Sequence, residues 1–250
     1  MPPRRRAVVT SRKPSLRTER LLQREGYPVL AGMDEVGRGA LAGPVTVGVV
    51  VIDEGCRSAP TGVKDSKLLT PSARERMVPR IERWCIAWGV GHASPHEIDS
   101  VGIMGGLRLA GRRALAQLGT VPDLVILDGN HDWLTSPDEV GLLAFAEGNE
   151  GASTPPVRTM IKADMRCSSV AAASVLAKVA RDRLVVDRAA DHPDYGWLDN
   201  KGYAAPEHLE ALRRLGPTEY HRRSWNIPGC RDELGDGSAD VVEDGIGQGA

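Results

Sequence analysis

Apolar residues along the chain form short continuous runs and helix-spaced sets, and their order predicts a mixed sheet with helices on its faces. The continuous runs predict strands at 29–34, 44–53, 84–93, 124–127 and 157–161. The helix-spaced sets predict helices at 15–25, 71–83, 104–118, 168–190 and 205–215, and a further helical stretch starts at 95–99. The first three strands precede the others and indicate an antiparallel meander. The later strands alternate with helices, so the predicted fold class is α/β.

Two segments indicate how closely the layers pack. The run Leu124–Leu127 has no polar alternation, which is typical of a strand buried on both faces. The helix at 168–190 has an alanine-rich first half, which indicates close contact with the sheet. Between them, residues 131–156 have the composition of a loop insertion.

Composition indicates a globular protein whose charge is unevenly distributed. Apolar content of 41% and charged content of 26% allow a sizeable core, and the scarcity of aromatic residues makes that core aliphatic. The net charge of -1 does not indicate a polyanionic partner. However, residues 1–30 are strongly basic and residues 231–250 strongly acidic, so a neutral total can hide a local basic face.

The cysteines and the apolar runs limit the compartment. Cys56, Cys85, Cys167 and Cys230 are scattered without a paired spacing, which argues against a zinc site or a disulfide framework. This usage fits a reducing compartment. No apolar run reaches the length of a membrane span, and no secretion signal follows the basic N-terminus. We therefore expect a cytoplasmic protein without membrane association.

Four acids follow predicted apolar strands: Asp34, Glu35, Asp128 and Asp164. Strand ends of an α/β sheet are neighbours in space, so these carboxylates should meet. Close carboxylates repel one another unless hard divalent cations such as Mg²⁺ or Mn²⁺ neutralise them. Two such ions about 4 Å apart are a common device for phosphodiester cleavage. A solvated strand end is the simpler interpretation of any one acid alone, but the set of four favours a metal site.

A glycine-rich loop follows the first acids. Gly37, Arg38 and Gly39 could present backbone N–H groups and a guanidinium to a sugar-phosphate, although an ordinary turn is the alternative. A dinucleotide-binding loop is disfavoured because the third glycine is misplaced and the adjacent Asp34 and Glu35 would repel a pyrophosphate.

Other polar residues have two interpretations each. Lys64, Ser66 and Lys67 form a compact donor set suited to phosphates, but such a stretch is more often a solvated loop. Tyr203 could stack on a sugar or a base, or it could be a packed tyrosine with a bonded hydroxyl. Lys178 and Arg181 project from the long helix, and a functional role and simple solvation on the helix surface are equally plausible for them. His221, Arg222 and Arg223 form a basic run that is too short to indicate a function by itself. The other histidines follow no metal spacing and predict no function.

Five blocks of the sequence resemble the successive motifs of the ribonuclease HII family. In family order, over residues 28–226, they are AGMDEVGRGALAGPV, KDSKLL, ILDGN, IKADMRCSSVAAASVLAKVARD, and YGWLDNKGYAAPEHLEALRRLGP with HRRSW. The resemblance implies a ribonuclease H-like mixed sheet flanked by helices, with a helical C-terminal extension. It also implies hydrolysis of the RNA strand of RNA–DNA hybrids and cutting 5′ to ribonucleotides embedded in duplex DNA.

The resemblance also implies roles for particular residues. It makes metal ligands of Asp34, Glu35, Asp128 and Asp164, which would hold two Mn²⁺ or Mg²⁺ ions. It assigns recognition of the ribonucleotide 2′-hydroxyl to Gly37, Arg38 and Gly39, and recognition of the junction to Tyr203. The blocks at 65–67 and 221–224 resemble backbone-contacting or architectural segments. The chain departs from the family pattern at Ala163, where glycine is usual, and in the length of the 131–156 segment.

The predicted organisation has three parts. Residues 1–27 form a basic N-terminal arm with a short helix, residues 28–228 a catalytic domain with its helical C-terminal part, and residues 229–250 a flexible acidic tail. We expect a monomer with no small-molecule cofactor. A binding module that recognises hybrids without cutting is one alternative, which the retention of all four acids disfavours. Another nuclease of the same fold, such as a junction resolvase or an exonuclease, is the second, which the glycine loop and Tyr203 disfavour.

Overall fold

The computed structural model describes residues 13–136 and 154–228, and they form one five-stranded sheet with helices on both faces. The strands are β1 Leu30–Val36, β2 Val45–Ile52, β3 Ala87–Ala93, β4 Leu124–Asp128 and β5 Val157–Met160. The α-helices of the described residues are α1 Arg17–Arg24, α2 Pro71–Glu82, α3 Pro95–Leu115, α4 Ser168–Ala189, α5 Trp197–Asn200 and α6 Pro206–Leu215. Short 3-10 turns occur at Ser66–Leu68, Ala163–Met165 and Pro193–Tyr195.

The sheet is mixed, with strand order β3-β2-β1-β4-β5. Strands β1, β2 and β3 pair antiparallel, which confirms the predicted meander. Strands β4 and β5 join the other side of β1 in parallel. The central strand β1 therefore has an antiparallel neighbour on one side and a parallel neighbour on the other, and its C-terminal end carries the first two candidate acids.

Helix α4 lies against one face of the sheet at very short distance, as its alanine-rich sequence predicts. A Cβ atom at Gly32 of β1 would lie 2.5 Å from the backbone of Ser169, and one at Gly48 of β2 would overlap the carbonyl of Ala173. Only glycine allows this approach, so the helix axis is fixed relative to the two central strands.

Helix α3 covers the opposite face and joins the two helical stretches predicted from residues 95 and 104. It begins at Pro95, where Ser94 and Glu97 form a reciprocal capping box, and it is kinked at Gly102. The kink at Gly102 lies between the two predicted helical stretches, which explains why the sequence predicts them separately. The 131–156 segment also differs from a plain loop insertion, because Trp133 and Leu134 are buried in the core of this face. Residues 137–153 of that segment lie outside the described residues.

The C-terminal residues form the predicted helical extension. Helices α5 and α6 pack on the last turns of α4 through a separate apolar cluster that includes Tyr195, Trp197, Leu212 and Ile227. At the other end of the chain, α1 packs Leu22 into the main core. The remainder of the N-terminal arm before residue 13 and the acidic tail from residue 229 lie outside the described residues. No helix in 13–136 or 154–228 is long and apolar enough to cross a membrane.

Candidate active site

The four candidate acids lie at one edge of the sheet. Strands β1 and β4 pair in parallel up to Met33 and Leu127, so Asp34 and Asp128 come next on adjacent strands. The backbone N–H of Ala163 donates to Asp128 Oδ1 over 2.6 Å, which ties the 3-10 turn that carries Asp164 to the end of β4. Alanine at 163 keeps this bond because only its backbone N–H is used.

Burial and mutual repulsion disfavour full ionisation of this cluster. Burial raises the pKa of Asp34 well above its ordinary value, and the charges of Glu35, Asp128 and Asp164 raise it further. Burial likewise raises the pKa of Glu35. It raises the pKa of Asp164 to about 6, with repulsion from Asp128 as the next cause. Nearby positive charge would therefore stabilise the ionised form of this cluster.

The donor set fits hard divalent cations. All four side chains offer carboxylate oxygens, which Mg²⁺ and Mn²⁺ prefer. Glu35 Oε2 is buried and has no hydrogen-bond partner within 13–136 and 154–228. In the same residues no three acidic, histidine or cysteine side chains are arranged to chelate one ion as they stand, so cation binding requires the carboxylates to adjust.

Among the predicted phosphate donors, the structure separates the lysines from the serine. Lys67 is exposed beside the acids. Burial alone would lower the pKa of Lys67, yet the neighbouring carboxylates, of which Asp65 acts most strongly, raise it overall. Lys64 is half-buried on the same loop. Ser66 is buried, and its hydroxyl accepts from Ser174 Oγ of α4 over 2.8 Å. Its role as a phosphate donor stays a prediction.

A buried arginine stabilises the glycine loop by hydrogen bonds to its carbonyls. Arg222 is fully buried and donates to the carbonyls of Gly37 at 2.6 Å, Arg38 at 2.8 Å and Gly43 at 3.1 Å. Arg38 and Gly39 are exposed, and their backbone N–H groups have no hydrogen-bond partner in the described part of the chain. The loop thus presents donors outward, as the predicted role requires.

A second buried arginine joins this loop to the one that carries Tyr203. Arg181 of α4 donates to the carbonyls of Ala42 at 3.0 Å, Pro44 at 3.1 Å and Lys201 at 2.9 Å. The two loops are also bonded directly, because the Ala42 N–H donates to the Gly202 carbonyl over 3.1 Å. The Tyr203 ring is half-buried, with the Arg181 guanidinium 5.1 Å from its centroid. Tyr203 and the glycine loop therefore form one braced unit.

Sequence reasoning left the role of each arginine open: Arg181 between solvation and function, and the block containing Arg222 between a backbone-contacting and an architectural segment. Arg181 is not solvated, because the spacing Ala177, Arg181, Val185 places it on the buried face of α4. That i, i+4 spacing was a usable signal. Arg222 has no such signal, since its three carbonyl partners belong to a loop far away in the sequence.

The fold has a solved counterpart. The crystal structure of ribonuclease H2 from Pyrococcus horikoshii superposes with a TM-score of 0.59 at 29% identity, covering 79% of this chain and 94% of that one. The mixed sheet, the acidic edge and this likeness define the class: the chain is a ribonuclease H-type hydrolase.

The sequence relatives specify the family. The ribonuclease HII family model matches residues 31–227. Ribonuclease HII of Streptomyces coelicolor is 47% identical over 200 residues, covering 80% of this chain and 78% of the relative. Ribonuclease HII of Paracoccus denitrificans is 44% identical over 212 residues, covering 85% of this chain and 91% of the relative. The chain belongs to the ribonuclease HII family, whose members cleave the RNA of RNA–DNA hybrids.

Proposed function

We propose that this chain is an endoribonuclease that also cuts duplex DNA on the 5′ side of an embedded ribonucleotide, using two divalent cations. The observation that carries the proposal is the juxtaposition at one sheet edge of two features. One is a cluster of four carboxylates that are buried or half-buried, and the other is a loop whose exposed N–H groups suit the recognition of a single sugar.

The acids have distinct places in this proposal. Asp34 and Asp128, on adjacent strands, would share one cation with help from Glu35, and Asp34 and Asp164 would hold the second. The chemistry that such cations supply is a water of lowered pKa for attack and neutralised charge on the leaving 3′-oxygen. Ala163 positions Asp128 through the 2.6 Å bond to Oδ1, which leaves Oδ2 for a cation.

Recognition of RNA depends on the 2′-hydroxyl, the group that distinguishes RNA from DNA at one nucleotide. In our proposal the exposed amides of Arg38 and Gly39 bind this hydroxyl and its adjoining phosphate. Tyr203 lies against the junction between the ribonucleotide and the following deoxynucleotide. Lys67, beside the acids, and Lys64 bind flanking phosphates.

The test is a panel of 5′-labelled substrates of equal length, each incubated with Mn²⁺, with Mg²⁺ and with chelator. The panel contains a DNA duplex with one internal ribonucleotide, a long RNA–DNA hybrid, all-DNA duplex and a four-way DNA junction. We expect cation-dependent cutting of the first two, with a 3′-hydroxyl on the upstream product and a 5′-phosphate on the ribonucleotide.

Each alternative gives a different pattern. Cutting of the four-way junction or progressive shortening of all-DNA duplex would contradict the proposal and favour a resolvase or an exonuclease. Tight binding of the hybrid without cutting in either metal would favour a binding module. Cutting of the hybrid alone would remove the proposed action on single ribonucleotides and leave the family activity in place.

The substrate preference extends the proposal to the cell. We infer a role in ribonucleotide removal during DNA repair and replication, carried out in the cytoplasm by a monomer with no small-molecule cofactor. Sedimentation of the purified chain with and without the single-ribonucleotide duplex tests the monomeric state. A dimer in both samples would contradict it.

A further inference from the structure

Two buried histidines in the C-terminal extension form a continuous hydrogen-bond chain that ends on Tyr203. His208 of α6 and His221 are 0% and 1% exposed. Their Nε2 atoms lie 3.0 Å apart, and His208 Nδ1 lies 2.8 Å from the carbonyl oxygen of Tyr203. At the other end of the chain, His221 Nδ1 lies 2.9 Å from the backbone nitrogen of Thr218.

The partners fix the direction of every bond. The Tyr203 carbonyl can only accept, so His208 must carry its proton on Nδ1. The Thr218 N–H can only donate, so His221 Nδ1 must accept and its proton must lie on Nε2. His208 Nε2 is then the acceptor for His221. The indole N–H of Trp197, 3.3 Å from the same His208 Nε2, can only donate and requires the same polarity.

The chain holds only while both imidazoles are neutral. A second proton on His208 Nε2 would face the two donors Trp197 Nε1–H and His221 Nε2–H, and one on His221 Nδ1 would face the Thr218 N–H. Burial lowers the pKa of His208 and of His221, in agreement with that requirement. Each ring therefore has one tautomer, and a donor is aimed permanently at the Tyr203 carbonyl.

We propose that His208 is a positioning residue for Tyr203, and that His221 fixes the tautomer in which His208 acts. The inference rests on the proposed function of Tyr203 at the substrate junction. The Tyr203 carbonyl accepts a second bond from the Ala205 N–H at 2.8 Å, which is local to the loop. The bond from His208 is different, since it fastens the loop to a side chain of α6 and so restricts the backbone that carries the tyrosine ring.

Two substitutions at the same position separate positioning from general stability. In His208→Asn the side-chain amide lies near the place of Nδ1 and can still donate to the Tyr203 carbonyl, but the acceptor for His221 is lost. In His208→Gln the amide reaches the place of Nε2 and can still accept from His221, but the donor to Tyr203 is lost. Each variant keeps one bond of the pair, so both should lose similar thermal stability.

Their activities should differ. We expect kcat/KM on the single-ribonucleotide duplex to be about five- to tenfold lower for His208→Gln than for His208→Asn, the size expected for one lost neutral hydrogen bond in a braced site. On a long hybrid, which has no junction at most of its bonds, the two variants should be similar. In a Tyr203→Ala background the difference between them should vanish, because His208 acts through that residue.

The outcomes separate this inference from the proposed function. If the wild-type chain does not cut the single-ribonucleotide duplex, the proposed function fails. If the wild type cuts but the two variants fall equally, in step with their thermal stability, the inference is wrong and His208 is structural only.

A measurement on the wild type needs no variant. Nitrogen-15 NMR of the imidazoles at pH 7 should find His208 protonated on Nδ1 and His221 on Nε2. The opposite tautomers, or a charged ring, would overturn the inference even if both His208 variants failed to fold.

Discussion

Replacement of Arg222 by methionine should disorganise the glycine loop and destabilise the fold. The guanidinium donates to the carbonyls of Gly37, Arg38 and Gly43, and it has no carboxylate bonded to it in the described residues. Methionine fills a similar volume but donates nothing. Gly37 retains a bond from the Ala40 N–H at 3.2 Å, so the carbonyls of Arg38 and Gly43 are the two that lose their partner.

The expected loss of stability in Arg222→Met is the balance of two opposing effects. Each lost bond to a charged donor costs about 1.5–3 kcal/mol, so two cost about 3–6 kcal/mol. Removal of a buried charge offsets part of this loss, and burial already lowers the pKa of Arg222 to about 9. A net loss of about 3 kcal/mol corresponds to a melting temperature about 6–12 °C lower for a chain of this size.

The neighbouring arginine provides the control. Arg223 is exposed, so Arg223→Met should change the free energy of unfolding by less than about 0.5 kcal/mol. Urea unfolding of both variants and the wild type, followed by circular dichroism, gives the comparison, and cleavage of the single-ribonucleotide duplex is measured below each transition. If Arg222→Met were as stable and active as Arg223→Met, the reasoning that this side chain braces the loop would be refuted.

Two further paired substitutions test the loop and the histidine chain. Gly37→Ala should lose at least about 2 kcal/mol of stability and most of its cleavage rate, because φ is +82° and the new Cβ would overlap Arg181, whereas Gly39→Ala meets open space and should keep its stability. Equal urea midpoints for the two would contradict this. Burial lowers the pKa of His221 from 6.5 to about 3, so below pH 6.5 the unfolded chain binds a proton at this residue and the folded chain does not. The free energy of unfolding therefore decreases as the pH falls below 6.5. Between pH 7 and pH 5, the free energy of unfolding of His221→Asn should therefore decrease by about 2 kcal/mol less than that of the wild type. The exposed His96→Asn should match the wild type. Equal decreases in all three proteins would refute the assigned pKa shift.

The sequence predicted the strands and the acids well, because both depend on local pattern. A wholly apolar run such as Leu124–Leu127 has few alternatives to a buried strand, and an acid directly after it must lie at the sheet edge. Because the strand ends of an α/β sheet are neighbours in space, the sequence also predicted that the acids meet. The structure brings Asp34, Asp128 and Asp164 close enough to perturb one another. Their role as metal ligands stays a prediction.

The supports of the site could not be predicted in the same way. A basic residue is normally solvated, and its burial depends on carbonyls supplied by distant parts of the chain. Arg181 and Pro44 are 137 positions apart, and Arg222 and Gly43 are 179 apart. The burial of Ser66 has the same origin, since its partner Ser174 lies 108 positions further along the chain. Such pairs become visible only when the chain has folded.

The measurement that tests the central claim most directly is cleavage of a DNA duplex with one internal ribonucleotide by the wild type, Asp128→Asn and Asp187→Asn, with Mn²⁺, with Mg²⁺ and with chelator. Asp187 is exposed on α4 and serves as the matched control for the same chemical change. We predict cutting 5′ to the ribonucleotide by the wild type and Asp187→Asn in the presence of either metal. Asp128→Asn should bind the duplex but lose cutting by at least about a hundredfold, the loss expected when a group that stabilises charge in the transition state is removed. Full activity of Asp128→Asn, or undiminished cutting in chelator, would contradict the account of a carboxylate-held cation site.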